Sequence, residues 1–319
     1  MQSIKSCLMV LVGIASMPAL AGESVSTQQT WLDKGHHHAK NWLSSTVNHM
    51  DNWFGDSNKE ARIKLRVMLD STWNEYDGTT IKPRVRAKVR LPSLEDRLSV
   101  VFGDENLDNE MGGGIYNDDR VARPNTDDRA FDRRRTKDEN SSLALRWSKF
   151  RKNAGLDVDL GVRSDDVFVR LKAEKSWQLP HNIDSRFEQM YRYGSQSEHM
   201  LLSTLEFSQP QSDTRTLVNR SHLHYTNHDG ENLNWSNSLY QQHDWAASLG
   251  TRSFSYGLYT GGEIIDKKSD LNVWGPYLSY RQPVWRDWLF VQGDASYYNN
   301  KSQDKDHHIA LFSRVEAVF

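Results

Sequence analysis

Basic residues alternate with apolar ones in two segments near the start of the chain. Because side chains two positions apart share one face of a β-strand, the cations of each segment would line a single face. Seven cations on neighbouring strands could attract anions, as charged rings do in pores. The seven, in chain order, are Arg62, Lys64, Arg66, Arg84, Arg86, Lys88 and Arg90.

The same cations could instead brace the interior of a barrel by pairing with carboxylates. Pairing is the favoured interpretation, since every barrel must neutralise or solvate the charges in its lumen. Both interpretations hold if cations outnumber their partners. The candidate acidic partners on other predicted strands are Asp157, Asp159, Glu174, Glu188 and Glu316.

Histidine spacing gives little support to a metal or acid–base centre. His36, His37 and His38 are adjacent, so on a helix they would splay around its circumference. His222 and His224 would share one strand face, but no third ligand is evident. We predict neither a metal site nor a cofactor.

The sequence also lacks two common catalytic signatures, the Gly-x-Ser-x-Gly and His-Glu-x-x-His patterns. Its one cysteine, Cys7, lies in a predicted signal peptide, so the mature chain would have no thiolate nucleophile. We therefore predict no catalytic residue. The net charge of −2 predicts no general attraction to nucleic acid.

The elements that would carry these residues are β-strands with a period of two. The alternation predicts an all-β, transmembrane, antiparallel up-and-down barrel of about fourteen strands, within a range of twelve to sixteen. The fourteen are 61–73, 81–91, 97–103, 141–149, 155–163, 167–177, 185–193, 199–208, 215–226, 232–242, 245–258, 271–281, 288–298 and 308–319. The stretch 245–265 could hold one long strand or two.

A soluble sandwich would give the same alternation, but three features favour a membrane. Residues 1–21 read as a signal peptide, with Lys5, an apolar stretch Cys7–Met17 and the small-x-small site Ala19-Leu20-Ala21. Short turns and a long loop are expected of such barrels, and the prolines at 92, 180, 210 and 283 fall in candidate short turns. The final strand ends on Phe319, a terminal aromatic of the kind that the barrel assembly machinery reads.

The long link from Asp104 to Asn140 mixes acidic and basic residues. The plainest interpretation is a mobile extracellular loop. A sharper one is contact with divalent ions or lipopolysaccharide. Gly112-Gly113-Gly114 precedes no predicted helix, so a phosphate-binding loop is not supported.

Before the barrel, residues 28–54 have a helical pattern instead. Trp31, Trp42 and Trp53 recur every eleven residues, nearly three helical turns, so they would stack on one face. This amphipathic helix could anchor the chain at a membrane interface or dock on the barrel. The predicted organisation is a signal peptide at 1–21, a periplasmic helix and linker at 22–59, and an outer-membrane barrel at 60–319.

Two stretches resemble a family of uncharacterised proteobacterial outer-membrane proteins. They are Arg281-Gln282-Pro283-Val284-Trp285-Arg286-Asp287-Trp288-Leu289-Phe290 and Lys82–Pro92. The similarity runs from about Trp53 to Phe319, and the Trp-rich helix is not part of it. The resemblance implies location and fold only, because no activity or catalytic residues are established for that family.

Together these patterns predict a non-enzymatic barrel in the outer membrane with its N-terminal helix and C-terminus in the periplasm. It would be a passive or anion-preferring channel, or a largely closed structural barrel. The rival functions are an outer-membrane lipid-modifying enzyme and an adhesion or envelope-assembly factor. The expected partners are outer-membrane lipids, lipopolysaccharide and, during biogenesis, the barrel assembly machinery.

Overall fold

The computed structural model describes residues 33–34, 36–38, 41, 45, 62–90, 97–108, 131–164, 166–227 and 232–319. Within these ranges fourteen strands form the barrel. They are β1 Arg62–Asn74, β2 Gly78–Arg90, β3 Leu98–Gly103, β4 Leu143–Arg151, β5 Ala154–Arg163, β6 Asp166–Leu179, β7 Ile183–Gly194, β8 Glu198–Ser212, β9 Arg215–Thr226, β10 Asn232–Ala247, β11 Gly250–Ile265, β12 Val273–Trp285, β13 Leu289–Asn300 and β14 Lys305–Val318. A short helix, Arg133–Glu139, and two 3-10 turns, Glu105–Asp108 and Lys301–Gln303, lie in the connections.

The strands close into a barrel in which each strand is antiparallel to both of its neighbours. Consecutive strands pair throughout, and β14 returns to β1 with Glu316 opposite Met68. Closure gives every strand a neighbour on both sides, although the short β3 pairs only with Arg86–Arg90 of β2. The prediction of an antiparallel barrel of fourteen strands is confirmed.

The even number of strands brings the start of β1 and the end of β14 to one end of the barrel. We call this the terminal end. The opposite end, where β3 is joined to β4 by the long connection 104–142, is the loop end. Of the described helices, none is long and apolar enough to span a membrane.

Some predicted boundaries differ from the structure. Pro180 lies in a turn as expected, but Pro210 and Pro283 lie within β8 and β12, beside irregularities in the strand register. Proline lacks the N–H that a regular ladder uses, so a bulge near a strand end accommodates it. The strand predicted to begin at Trp245 instead starts at Gly250, because β10 continues to Ala247.

The N-terminal unit of the chain, which separates from the rest between Trp42 and Leu43, has few described residues. Those at 33, 34, 36–38 and 41 are helical, and His37 and His38 are exposed. Trp31, Trp42 and Trp53 lie outside the described residues, as does the signal peptide. The anchoring helix and the division into three segments therefore stay predictions.

The two faces of the barrel wall have opposite characters. Outward side chains are mostly apolar and exposed, with Leu160 and Leu258 each 59% exposed. Inward side chains are mostly polar and buried or half-buried, with Asp159 at 1% and Arg170 at 2%. An apolar exterior around a polar interior is the arrangement of a barrel whose outer face meets lipid.

Outward aromatic side chains collect near both ends of the wall. Near the loop end the strands carry Trp73, Tyr193, Tyr225, Trp235, Trp274 and Tyr297. Near the terminal end lie Trp177, Trp245, Tyr280, Trp288 and Phe319, the last two with ring centroids 6.3 Å apart. Aromatic girdles flanking an apolar band are typical of the two interfaces of a transmembrane barrel.

Candidate functional site

Gly103 turns the chain from the wall into the lumen. Its φ of +96° suits glycine, and a Cβ at this position would lie only 2.0 Å from the carbonyl oxygen of Val85. The next residue, Asp104, donates its backbone N–H to that same carbonyl at 2.8 Å. A short β3 ending on Gly103 therefore directs residues 104–108 inward instead of continuing the strand.

The far end of the long connection is fixed to the same strand. The Asn140 side chain accepts the backbone N–H of Val85 at 2.7 Å and donates to the carbonyl of Pro83 at 2.9 Å. The Asn140 side chain thereby supplies hydrogen bonds that a neighbouring strand would supply, because β3 is too short to reach this part of β2. Both described ends of the connection are thus anchored on β2. Residues 109–130 lie outside the described residues, so the mobile extracellular loop stays a prediction.

Asp108 is the centre of the charged lumen. It binds guanidinium groups from three strands: Arg86 on β2, Arg146 on β4 and Arg170 on β6. Arg86 Nε reaches Asp108 Oδ1 at 3.0 Å, and Arg170 Nη2 reaches Oδ2 at 2.7 Å. In addition, the Lys172 ammonium donates to the Asp108 carbonyl at 2.8 Å. One loop carboxylate therefore ties several strands of the wall together.

Asp159 on β5 shares two of these arginines. Arg146 donates Nε to Asp159 Oδ1 at 2.7 Å, and Arg170 donates Nε to Oδ2 at 2.8 Å. Arg146 also lies 3.9 Å from Asp157, so the three guanidinium groups are balanced by the three carboxylates of Asp108, Asp157 and Asp159. Charge-assisted pairs of this geometry are strong, but burying ions carries a large desolvation cost that only complete pairing offsets.

A second group of ion pairs lies nearer the loop end. Glu105 accepts from Arg163 at 3.1 Å and lies 3.3 Å from Arg192. Arg192 also binds Asp166 at 3.0 Å, and its guanidinium carbon lies 4.5 Å from the centre of the Phe168 ring. Residues 104–108 therefore contact inward side chains of β2, β4, β5, β6 and β7.

The wall on the other side of β2 continues the network. Arg84 binds Asp104 at 2.6 Å and lies 3.4 Å from Asp70, which also binds Arg314 at 2.6 Å. The barrel closure is bridged in the same manner, because Arg66 on β1 binds Glu316 on β14 at 2.6 Å. Glu316 also accepts from Arg281 of β12 at 2.6 Å.

The predicted acids mostly pair with cations outside the predicted basic cluster. Glu174 and Glu188 bind Arg186 at 2.6 and 3.2 Å, while Lys172 lies 2.9 Å from Glu188. Asp157 accepts from Ser148 at 2.6 Å. Within the part of the chain that the structure describes, Glu316 alone of the five predicted acids pairs with one of the seven predicted cations, namely Arg66.

Three of the predicted cations form no ion pair with any residue that the structure describes. Lys64 and Lys88 face each other directly in the register of β1 and β2, and Arg90 is opposite Arg62. Lys64 and Arg90 are exposed, and Lys88 is half-buried. Only the backbone of Arg62 is described. Like charges directly opposite one another on neighbouring strands repel. We call Lys64, Lys88 and Arg90 the Lys64 rung, whose positive charges no ion pair among the described residues neutralises.

The wall opposite the arginine cluster has fewer charges and more aromatic rings. Val218, Tyr240 and Tyr277 are buried together with Tyr259 against them. Arg220 donates Nε to Glu206 at 2.6 Å beside this group. These rings fill the lumen on that side with apolar surface.

His222 and His224 lie on the inward face of β9, away from the lipid-facing side. The His222 Nδ1 atom is 2.8 Å from the Thr204 hydroxyl, which makes a local pair within the lumen. Within the described ranges, no group of three or more His, Cys, Asp or Glu side chains is placed to hold a metal ion. The histidines therefore have no lipid-facing position from which to modify a lipid.

The sequence interpretation missed Arg146, Arg170 and the inward segment with Asp104, Glu105 and Asp108. The two arginines could have been found, since each alternates with apolar residues just as Arg86 does. The three acids could not, because a loop has no periodicity and nothing in its composition specifies an inward path.

No family model matches the chain, and no curated protein matches it either. Among solved structures, a bacterial polysaccharide outer membrane secretin is 11% identical over 81% of this chain and 98% of its own, with a TM-score of 0.45. OprB from Pseudomonas putida is 11% identical over 88% and 97%, with a TM-score of 0.45. OccAB2 from Acinetobacter baumannii is 8% identical over 81% and 98%, with a TM-score of 0.44. The resemblance of Arg281–Phe290 to a family of outer-membrane proteins is therefore not supported by a family model.

Proposed function

We propose that this chain is a non-enzymatic outer-membrane barrel with a narrow lumen that admits small anions in preference to cations. The observation that carries the proposal is the rung formed by Lys64, Lys88 and Arg90, whose charges have no ion-pair partner among the described residues. The other inward charges of β1, β2, β4, β5 and β6 are largely paired with one another. The rung therefore sets the sign of the potential that an ion meets on this side of the lumen.

The outer-membrane location is supported by the exterior of the barrel. An apolar band lies between two sets of outward aromatic residues, and closed barrels with this exterior are characteristic of that membrane. We propose that the barrel is oriented with its terminal end facing the periplasm. The Lys64 rung then lies in the periplasmic half of the lumen, since Lys64 and Arg90 are close to the terminal ends of their strands.

We infer a narrow lumen because most of its inward side chains are buried or half-buried. Arg84, Arg170 and Arg192 are 2–4% exposed, and inward residues of the opposite wall such as Ser238 and Asp294 are buried as well. Side chains that lined a wide aqueous pore would be accessible to solvent. The residues 104–108 add to the constriction by occupying the arginine side of the lumen.

The same burial favours a second candidate function, a closed barrel that serves only as a structural element. The ion pairs that link β1, β2, β4, β5, β6, β7, β12 and β14 would then brace the wall. The two candidates differ in one respect, since only the first conducts ions.

Ion conduction by the purified full chain in a planar bilayer separates the candidates. We expect small unitary steps and a reversal potential of anion-selective sign under a KCl gradient. Neutralising the rung with Lys64→Gln, Lys88→Gln and Arg90→Gln should move the reversal potential towards zero. A matched variant with the outward cations Lys149→Gln and Lys175→Gln should leave it unchanged.

Two results would contradict the proposal. A folded chain that inserts but never conducts would support the closed barrel instead. Cation selectivity that the rung substitutions do not alter would exclude the rung as the source of selectivity.

A further inference from the structure

A second group of cations lies on the outside of the barrel at the terminal end. It consists of the exposed side chains of Lys149 and Arg151 on β4, Lys152 in the following turn and Lys175 on β6. On β4 the inward positions are those of Ala144 and Arg146, so the odd-numbered residues 149 and 151 point outward. Lys175 likewise alternates with the inward Arg170, Lys172 and Glu174.

The strand register brings these cations close together. Arg151 is opposite Ala154, and Ala154 is opposite Lys175, so the two cations are two strands apart in one row. Neighbouring strands are about 4.8 Å apart, which separates their Cα atoms by about 10 Å. Lys149 is two residues along β4, about 7 Å away. Flexible side chains of this length can converge on one phosphate group.

No acid compensates this patch among the described residues, and none of its four cations has an ion pair there. The nearest carboxylate in sequence, Glu174, faces inward and binds Arg186 at 2.6 Å. Asp157 also faces inward and accepts from Ser148. Among the described residues of β4, β5 and β6, the outward charge at this rim is therefore of one sign, in contrast to the paired charges of the lumen.

The patch borders the apolar exterior of the same strands. Leu145, Leu156 and Leu160 on β4 and β5 are 46%, 37% and 59% exposed, and they continue from the cations towards the loop end. Trp177 lies two residues beyond Lys175 on the same outward face of β6. A cationic rim beside an apolar band and an amphipathic aromatic matches both parts of an anionic lipid, its headgroup and its acyl chains.

We propose that Lys149, Arg151, Lys152 and Lys175 bind the phosphate headgroup of an anionic glycerophospholipid, such as phosphatidylglycerol, in the leaflet at the terminal end. Positive side chains at a membrane surface attract anionic headgroups, while the exposed leucines above them contact the acyl chains. The inference rests on the proposed membrane location but not on ion conduction.

Native mass spectrometry of the full chain in detergent tests this proposal. The protein is exposed to equal amounts of phosphatidylglycerol and phosphatidylcholine, and the lipid retained is counted. We expect phosphatidylglycerol to be retained preferentially. The variant Lys149→Gln, Lys152→Gln, Lys175→Gln should lose that preference, with an effect of about fivefold for each charge removed.

The matched control removes three exposed lysines at the loop end, with Lys267→Gln, Lys268→Gln and Lys301→Gln. It should retain phosphatidylglycerol as the unchanged protein does, and a heat-dependent shift in gel mobility verifies that all variants fold. Equal loss in both variants, or no preference in the folded unchanged protein, would overturn the proposal. So would retention of lipopolysaccharide in place of phosphatidylglycerol through the same lysines. A chain found only in the soluble fraction of cells would overturn both this inference and the proposed location.

Discussion

Arg86 and Asp108 are 22 positions apart in the chain and meet inside the barrel, with Arg86 Nε donating to Asp108 Oδ1 at 3.0 Å. Strand alternation in the sequence predicts that Arg86 faces the lumen. No sequence pattern predicts the position of its partner, the loop residue Asp108. The contact also places Asp108 where Arg146 and Arg170 converge. The inward segment and the wall therefore depend on each other.

The first prediction follows from this dependence. Replacing Asp108 with Asn should release the 104–108 segment and leave Arg86 without its carboxylate partner. Asp159 still neutralises part of the cluster, so we expect a loss of about 1–3 kcal/mol in the free energy of unfolding. Urea unfolding in detergent, followed by tryptophan fluorescence, measures the loss. If the barrel conducts, the unitary current should rise.

Asp184→Asn is the matched control for the Asp108 substitution. Asp184 is an exposed carboxylate on the inward face of β7, close to the terminal end. Its replacement should change neither stability nor current by a comparable amount. Equal behaviour of the two variants would show that Asp108 does not hold the segment in place.

Gly103 gives a prediction about backbone conformation. Gly103→Ala places a Cβ 2.0 Å from the Val85 carbonyl oxygen and forces a side chain into a positive φ. We expect a destabilisation of more than about 1 kcal/mol and greater protease sensitivity of the 104–140 connection. Gly78→Ala is the control, since Gly78 also has a positive φ but no atom within 4 Å of where its Cβ would lie. Similar losses in both variants would show that φ alone, without the Val85 contact, is responsible.

Most of the fold could be predicted because alternation of apolar and polar residues runs through every strand. Where the pattern gives no signal, the prediction is wrong or incomplete. The predicted strand 232–242 in fact continues as β10 to Ala247. Asp244 stabilises this extension, because its side chain accepts from the Ser253 hydroxyl and its N–H donates to the Thr214 carbonyl. The residue pattern at His243-Asp244 is compatible both with a turn and with a continuing strand, so the sequence alone does not decide between them.

The site could be predicted only in its wall. Strand alternation identifies Arg66, Arg84 and Arg86 as one set, but pairing depends on which strands become neighbours across the lumen. Arg86 binds Asp108, and the predicted partner Asp159 binds Arg146 and Arg170 instead. Loop residues such as Asp104 enter the lumen because of one backbone torsion at Gly103, which the sequence does not encode in any periodic form.

Arg66 and Glu316 provide a prediction about how the barrel closes. Glu316 accepts from Arg66 through Oε1 and from Arg281 through Oε2, each at 2.6 Å. Glu316→Gln should therefore leave two cations beside a neutral group and weaken the junction between β14 and its neighbours. We expect the temperature at which the folded gel band is lost to fall by several degrees. Glu263→Gln, on the inward face of β11, is the comparison; an equal fall there would argue against a specific role for Glu316.

The closure itself can be tested by a disulfide between the first and last strands. Leu69 and Val315 are opposite each other in the register of β1 and β14, and both point outward. Opposed residues on antiparallel strands have Cα atoms about 4.5–5.5 Å apart, a separation that a disulfide can bridge. The only cysteine of the chain, Cys7, lies in the predicted signal peptide, so no native thiol should compete.

The double variant Leu69→Cys, Val315→Cys should oxidise in the folded protein and show altered mobility in a non-reducing gel. The mismatched pair Leu69→Cys, Ile309→Cys, six positions away along β14, should not. Efficient oxidation of the mismatched pair, with none in the matched pair, would mean that β1 and β14 close the barrel in another register.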